Sequence, residues 1–320
     1  MIDPVSRMVV RSGYLRDKVV MYVRNLTLMR RHEAAAGVFD FAHQGGPPRS
    51  IGFDISNALH VHLGDHLFLE PAMRACRDQG LDVVVAPGPT MREYFRDAGY
   101  RVVSSDVVLQ QELRITSVWM YDSMPRPERH RRFVYLNMID HGIRRPVAEH
   151  MGEEILRIAR LDPGPMPIDG RPHLVSEGPT PLDAADGRWV LFNDTVDSGW
   201  FRVTRWDRAK LADVAAEQRR AGYRIARVGT EAERIARPHR VGIEDLDLRG
   251  RTSVMDLFRL LRSPKVVGTV SFDHVVAHMG MACGKPAIVK VRRCSPQHGD
   301  FMKRCLLPPF GVAAPPVRFI

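Results

Sequence analysis

The sequence predicts an α/β protein built from two Rossmann-like halves with parallel sheets, and three observations carry that prediction. Short apolar runs alternate with helix-patterned segments, the signature of βαβ units and a sheet covered on both faces. The alternation occurs twice, on either side of a proline- and glycine-rich stretch between Leu161 and Gly187. The chain has 320 residues, about twice the usual size of one domain, so each half can bury its own core.

In the first half, Ala58–Leu63 alternates like a strand, Gly64-Asp65 punctuates it, and His66–Gln79 follows with helical spacing. Leu81–Ala86 is an apolar run of the kind that forms a strand buried on both faces. Met91–Ala98 reads as a helix, Arg101–Val103 as a strand, and 137–161 as one or two helices interrupted at Pro146. In the second half, Trp189–Phe192, Tyr223–Val228, Lys265–Val267 and Ala287–Val289 read as strands. Helices are expected at Asp207–Ala221, ended by Gly222, at Ser253–Leu261, where Asp256 completes a capping box from Ser253, and at His274–Cys283. The predicted segments are 1–56, a basic helical extension and linker; 57–170 and 171–300, the two Rossmann-like domains; and 301–320, a tail expected to pack back on the first domain.

The extension stands apart. From Met8 to Met29 apolar residues interleave with arginines and Lys18, giving a helix with one basic face. Such a helix docks on an anionic membrane surface, or covers the main domain with its arginines solvated. Lys and Arg total 47 against 37 Asp and Glu, a net charge of +10, which favours anionic partners. Basic and aromatic residues are not interleaved on any one segment, which argues against nucleic acid. No apolar run approaches the roughly 20 residues that span a bilayer, and the signal-peptide pattern is missing. The expectation is a cytoplasmic protein, soluble or peripheral on the inner face of the membrane. The four cysteines form no C-x-x-C pair, so reduced thiols are expected.

Several segments sit where open α/β folds bind ligands, beyond the carboxyl ends of strands. Asp65 reads as a general base or as a helix cap, with His60, His62 and His66 as alternates. The helix beginning at His274 offers unpaired N–H groups and a dipole to an anion. Ser271 and Asp273 lie at that turn and His278 one turn further in, as a ligand or a core histidine. Lys285 follows a C-cap glycine, Gly284, and reads as structural. The hydroxyl-rich segment 193–206, with Thr195, Arg202 and Arg205, is a second anion-binding candidate. No G-x-G-x-x-G or P-loop occurs, which weakens a dehydrogenase or an NTPase. Asp245-Leu246-Asp247 is the one tight D-x-D and reads as a strand end, so no metal is expected.

Leu63-Gly64-Asp65 with Pro71 resembles the L-G-x-x-G-D…P opening of the heptosyltransferase-like enzymes, glycosyltransferase family 9. Asp247–Ser253 resembles the family's D-L-x-G-x-T-S. Val267-Gly268 through Asp273, His278 and Gly284-Lys285-Pro286 resembles its V-G-x-D-[ST]-G-x-x-H-L-A-A-A-L-G-K-P. The segments run in the family's order over 57–291.

The resemblance implies the glycosyltransferase B (GT-B) fold, two Rossmann-like domains whose parallel sheets face across a cleft. It also implies metal-independent, inverting transfer of a sugar from a nucleotide-diphosphate sugar to a glycan, lipid-linked or small glycoside acceptor. No cofactor is expected beyond that donor. Asp65 then corresponds to the general base. Gly64, Thr195, Arg202, Arg205, Ser271, Asp273, His274 and His278 become candidates for binding the donor, and Glu233 for holding its ribose. Asp273 would repel a phosphate, so it is expected to cap the helix or hold a sugar hydroxyl.

Three departures stand out. The first turn is shorter, with the strand running directly into Gly64-Asp65. The second site has three extra residues, so either Ser271 or Asp273 takes the family's Asp/Thr position. His274 and Val275 replace the glycine that follows. These departures leave two other readings open: a non-catalytic nucleotide-sugar-binding scaffold and a sugar-nucleotide epimerase.

Overall fold

A computed structural model of the protein describes residues 48–56, 63–118, 133–137, 155–156, 173, 177–197, 203–236, 243–273, 275–291 and 315–320. They belong to two compact units, one drawn from Val19–Leu174 and the other from Val175–Leu306 with Ala314–Ile320.

The first unit holds a five-stranded sheet of β1 (Ser50–Ile55), β2 (Asp82–Pro87), β3 (Arg101–Val102), β4 (Leu113–Val118) and β5 (Phe133–Asn137), in the order β3-β2-β1-β4-β5. Every pairing is parallel. Helices α1 (Leu63–Asp78), α2 (Arg92–Asp97) and α3 (Ser105–Val108) connect the strands.

Two expectations change here. The first strand is Ser50–Ile55, so the domain begins ahead of Ser50 rather than at 57. Gly64 and Asp65 lie in the first turn of α1, not at a strand end, and the first turn is therefore not shortened. The strand is hidden in the sequence because Gly52 and Asp54 interrupt its apolar run. Gly52 is explained by neighbours distant in sequence, and Asp54 by a serine two residues on that reaches across to Ser105. A Cβ on Gly52 would sit 2.8 Å from Gln111 Cγ and 2.8 Å from Val108 Cγ1. The buried Asp54 carboxylate accepts from Ser56 N at 3.3 Å and Ser56 Oγ at 2.7 Å, and Ser56 Oγ lies 3.3 Å from Ser105 Oγ. Strands β4 and β5 were not anticipated. Of the expected 137–161 helix, Asn137 ends β5, Ile155 and Leu156 are helical, and the rest lies outside the described residues, as does the basic extension.

The second unit holds a six-stranded parallel sheet of β6 (Arg188–Asn193), β9 (Tyr223–Arg227), β10 (Leu246–Asp247), β11 (Val266–Phe272), β12 (Ala287–Lys290) and β13 (Val317–Phe319). Its order is β10-β9-β6-β11-β12-β13. A hairpin of β7 (Thr195–Asp197) and β8 (Val203–Arg205) follows β6. The helices are α4 (Arg208–Arg220), α5 (Glu231–Ala236), α6 (Val254–Arg262) and α7 (Val275–Ala282). Leaving out the hairpin, the strands lie in the doubly wound order, with the switch point between β6 and β11.

Local chemistry caps these helices, at α6 as anticipated. Asp207 caps α4 by accepting from Ala209 N and Lys210 N, and Ser253 and Asp256 form the capping box of α6. Lys285 donates from Nζ to Ser263 O at 3.1 Å and Val266 O at 2.8 Å, which is a structural role. One face of the sheet packs Val190, Phe192, Ile225, Val270 and Phe272 against Leu211 and Val214 of α4. On the other face Ala277 of α7 packs against Ala287 and Val289. Of the 301–320 tail expected on the first domain, 301–314 lie outside the described residues, and the segment Val317–Phe319 joins the second sheet, where β13 pairs with β12 at Ala287↔Val317. There its backbone groups complete a ladder.

Candidate functional site

The carboxyl edge of the second sheet gathers Thr195, Glu233, Ser271 and Asp273 of the expected donor residues. Asn193, Asp194 and Thr195 leave β6, Gly229 and Thr230 follow β9, Asp247 and Arg249 follow β10, and Ser271 and Asp273 end β11. Two hydrogen-bonded knots shape this edge.

Glu233 is the centre of the first. Thr230 and Glu233 cap α5 reciprocally: Thr230 N donates to Glu233 Oε2 at 2.8 Å and Glu233 N to Thr230 Oγ1 at 3.2 Å. Asn193 Nδ2 donates to the same carboxylate at 3.3 Å and to Val228 O at 3.1 Å, while its Oδ1 accepts from Thr195 N at 3.3 Å. Gly229 has φ +148°, and a Cβ there would collide with Glu233 Oε2. Glu233 is therefore a buried anchor joining the β6 and β9 loops, not a solvated carboxylate.

The second knot is ionic. Arg227 Nη2 lies 2.5 Å from Asp194 Oδ1, and Nη1 lies 3.1 Å from Glu244 Oε1. Arg249 stands 4.0 Å from Glu244 and grips Asp247 with Nε at 2.8 Å and Nη2 at 2.7 Å. Burial pushes the Asp247 carboxyl up, but hydrogen bonds from Arg249 outweigh it and hold the group below its ordinary range. Asp245 accepts from Ile225 N at 2.8 Å and Arg219 Nη2 at 3.2 Å. Both acids of the D-x-D are thus engaged by protein donors.

Asp194, Arg227 and Glu244 escaped the sequence reading. The available signal was an arginine ending the apolar run Tyr223–Val228, where a charge is tolerated only if paired.

The remaining candidates are placed as follows. Thr195 is buried, and its Oγ1 has no partner among the described residues. Ser271 is not at a helix start: β11 continues through it to Phe272, and its buried Oγ donates to Phe272 O at 2.7 Å. Asp273 is buried, and its N–H donates to Lys290 O at 3.3 Å. His278 is half-buried within α7, and Arg205 pairs with Thr195 across the hairpin. Arg202, His274, His60 and His62 lie outside the described residues. Gly64, Asp65 and His66 belong to the first unit, in the first turn of α1. His66 is buried and its Nε2 accepts from Gly88 N at 3.2 Å, which gives it a structural use.

No protein-family model matches the sequence, and no curated protein matches it. Solved structures do resemble it. The glycosyl transferase family 9 protein from Veillonella parvula is 12% identical with a TM-score of 0.55, over 82% of this chain and 84% of that one. The E. coli ADP-heptose lps heptosyltransferase II is 12% identical with a TM-score of 0.55, over 85% and 90%. The E. coli heptosyltransferase WaaC, solved with ADP-2-deoxy-2-fluoro heptose, is 15% identical with a TM-score of 0.53, over 77% and 90%. The chain thus has the fold of the family its motifs resemble.

Proposed function

We propose that the protein is a glycosyltransferase that moves a sugar from a nucleotide-diphosphate sugar to an acceptor hydroxyl. The observation that carries this reading is the carboxyl edge of the second sheet. At the switch point of a doubly wound order, where such sheets bind nucleotides, the chain brings together Thr195, Gly229, Glu233 and Asp273. The solved structures of like fold include one that carries an ADP-heptose analogue.

In this reading the nucleoside lies against the Gly229–Glu233 turn, held in shape by Asn193. The diphosphate lies over the ends of β6 and β11, near the amino end of α7. Asp65 takes the proton of the acceptor hydroxyl as its oxygen attacks the anomeric carbon and the bond to the diphosphate breaks, inverting that centre. The engagement of Asp245 and Asp247 by protein donors favours metal-independent transfer. An anionic glycan or lipid-linked acceptor fits the excess positive charge. Among the described residues no helix is long and apolar enough to cross a membrane. Membrane docking by the basic extension and a cytoplasmic setting stay part of the proposal.

The test is a thermal-shift panel of nucleoside diphosphates and their sugars, because a ligand selective for the native state raises its melting temperature. A bound donor whose sugar is transferred, with Asp65→Asn still binding but inactive, supports the reading; a panel with no shift overturns it. Binding without turnover on any acceptor selects the scaffold instead, a reading favoured by the altered turn in which Ser271 is buried.

A further inference from the structure

The buried imidazole of His66 comes directly after Asp65 in the first turn of α1. Its Nε2 accepts from Gly88 N at 3.2 Å. Gly88 follows Pro87, the last residue of β2, and Pro87 is the register partner of Ile55 at the end of the central strand β1. The bond therefore ties the turn that carries Asp65 to the carboxyl edge of the first sheet, the edge at which open α/β sheets take their ligands.

The tie depends on the chemistry of the ring. A ring nitrogen that accepts a hydrogen bond carries no proton, so this imidazole is neutral and its proton sits on Nδ1. Gly88 is itself buried, and its carbonyl is engaged separately by Met91 N at 2.9 Å. Without His66 a buried backbone donor loses its acceptor, which native folds avoid.

The same face of α1 is fixed one turn further on. Glu70, four residues after His66, accepts from the Tyr100 hydroxyl at 2.8 Å and from His173 N at 3.2 Å. Beside these anchors the His66 ring lies 6.1 Å from Phe95, which meets Tyr94 and Tyr100 edge to face at 5.2 and 5.7 Å. The imidazole is thus held between a packed aromatic cluster and the end of β2. Precise placement of a reacting group needs such a support, locked by its own packing. The L-G-x-x-G-D…P pattern leaves the position after its aspartate open, so this support belongs to the present chain.

We infer that His66 is a positioning residue for transfer: as a neutral Nδ1–H imidazole bound to Gly88, it fixes the α1 turn that presents Asp65 to the acceptor hydroxyl. The inference rests on the transferase reading above. A misplaced base slows the chemical step and leaves substrate affinity alone, so the effect of His66 falls on kcat and passes through Asp65.

Transfer kinetics, thermal unfolding and nitrogen-15 NMR of histidine-labelled protein test this together. The His66 resonances are expected to show the Nδ1–H tautomer. His66→Leu, which cannot accept, is expected to lower kcat tenfold or more with the KM of donor and acceptor unchanged. His66→Gln, whose Oε1 can take the Gly88 N–H, is expected to keep most of the wild-type rate. In an Asp65→Asn background His66→Leu is expected to cause no further loss, the non-additivity of residues that act as a unit. His66→Asn, whose amide is too short to reach Gly88, gives the same readout should the Leu variant fold poorly. A wild-type kcat in His66→Leu, a loss that only follows the loss of folded protein, an additive loss in the double variant, or a proton on Nε2 overturns the inference and leaves the transferase reading standing. A wild-type protein that binds a nucleotide sugar and transfers it to no acceptor overturns both.

Discussion

Arg227 and Asp194 meet at 2.5 Å with both side chains 1% exposed, and this pair joins the ends of the neighbouring strands β9 and β6. Glu244 completes the clamp from the loop ahead of β10. Desolvating three charges is costly, and their mutual attraction offsets that cost only while every partner is present. Arg227→Met is therefore expected to destabilise the second unit by about 3–5 kcal/mol, the scale of a buried ion pair that loses one member. The triple change Arg227→Met with Asp194→Asn and Glu244→Gln is expected to recover part of the loss. Urea unfolding measures both, and an Arg227→Met variant of wild-type stability would show that the clamp contributes nothing.

Gly229 and Gly222 separate backbone strain from steric exclusion. Both have positive φ, but a Cβ on Gly222 meets nothing within 4 Å, whereas one on Gly229 runs into Glu233 Oε2. Gly222→Ala is expected to cost about 1 kcal/mol from the backbone alone. Gly229→Ala is expected to cost more, on the order of 1–3 kcal/mol of added strain, and to abolish nucleotide binding by moving Glu233. Equal losses in the two variants, with nucleotide binding intact, would remove the argument for a shaped turn.

Glu70 gives the first unit a pH dependence. Burial pushes its carboxyl above the ordinary range, against the pull of Arg74, the Tyr100 hydroxyl and the His173 N–H. The folded state then holds a proton that the unfolded chain releases near its ordinary value, about 4.3. The associated stability is complete below that pH and is lost as pH rises through the folded value. Glu70→Gln is expected to flatten this part of the stability curve, measured by chemical unfolding at a series of pH values. A variant whose curve keeps the wild-type slope would assign the effect elsewhere.

Transfer activity is expected to survive excess chelator, since Asp245 and Asp247 are held by Ile225 N, Arg219 and Arg249. Activity lost to chelator and restored by manganese would refute metal independence.

The parts of this molecule legible in the sequence are those decided within a turn of chain. Asp207, Ser253 with Asp256, and Lys285 after Gly284 announce their caps and anchors through local chemistry, and the apolar runs of β2, β6, β9 and β12 announce a parallel sheet. The misread parts depend on partners far along the chain. β1 contains Gly52 and Asp54, which are acceptable only because Gln111 and Val108 leave no room for a side chain and Ser56 binds the acid beside Ser105. β11 runs through Ser271 because it is paired there on both sides, with Val289 of β12 and Asn193 of β6.

For the candidate site the division is the same. By sequence alone Thr195, Glu233 and Asp273 are candidates because each follows an apolar run read as a strand. Only the tertiary structure decided that Glu233 is an anchor, that Arg227 is neutralised from 33 and 17 residues away, and that His66 is bound to Gly88. Periodicity reports burial and local hydrogen bonding, whereas a buried charge finds its partner only when the strand order brings distant loops to one edge.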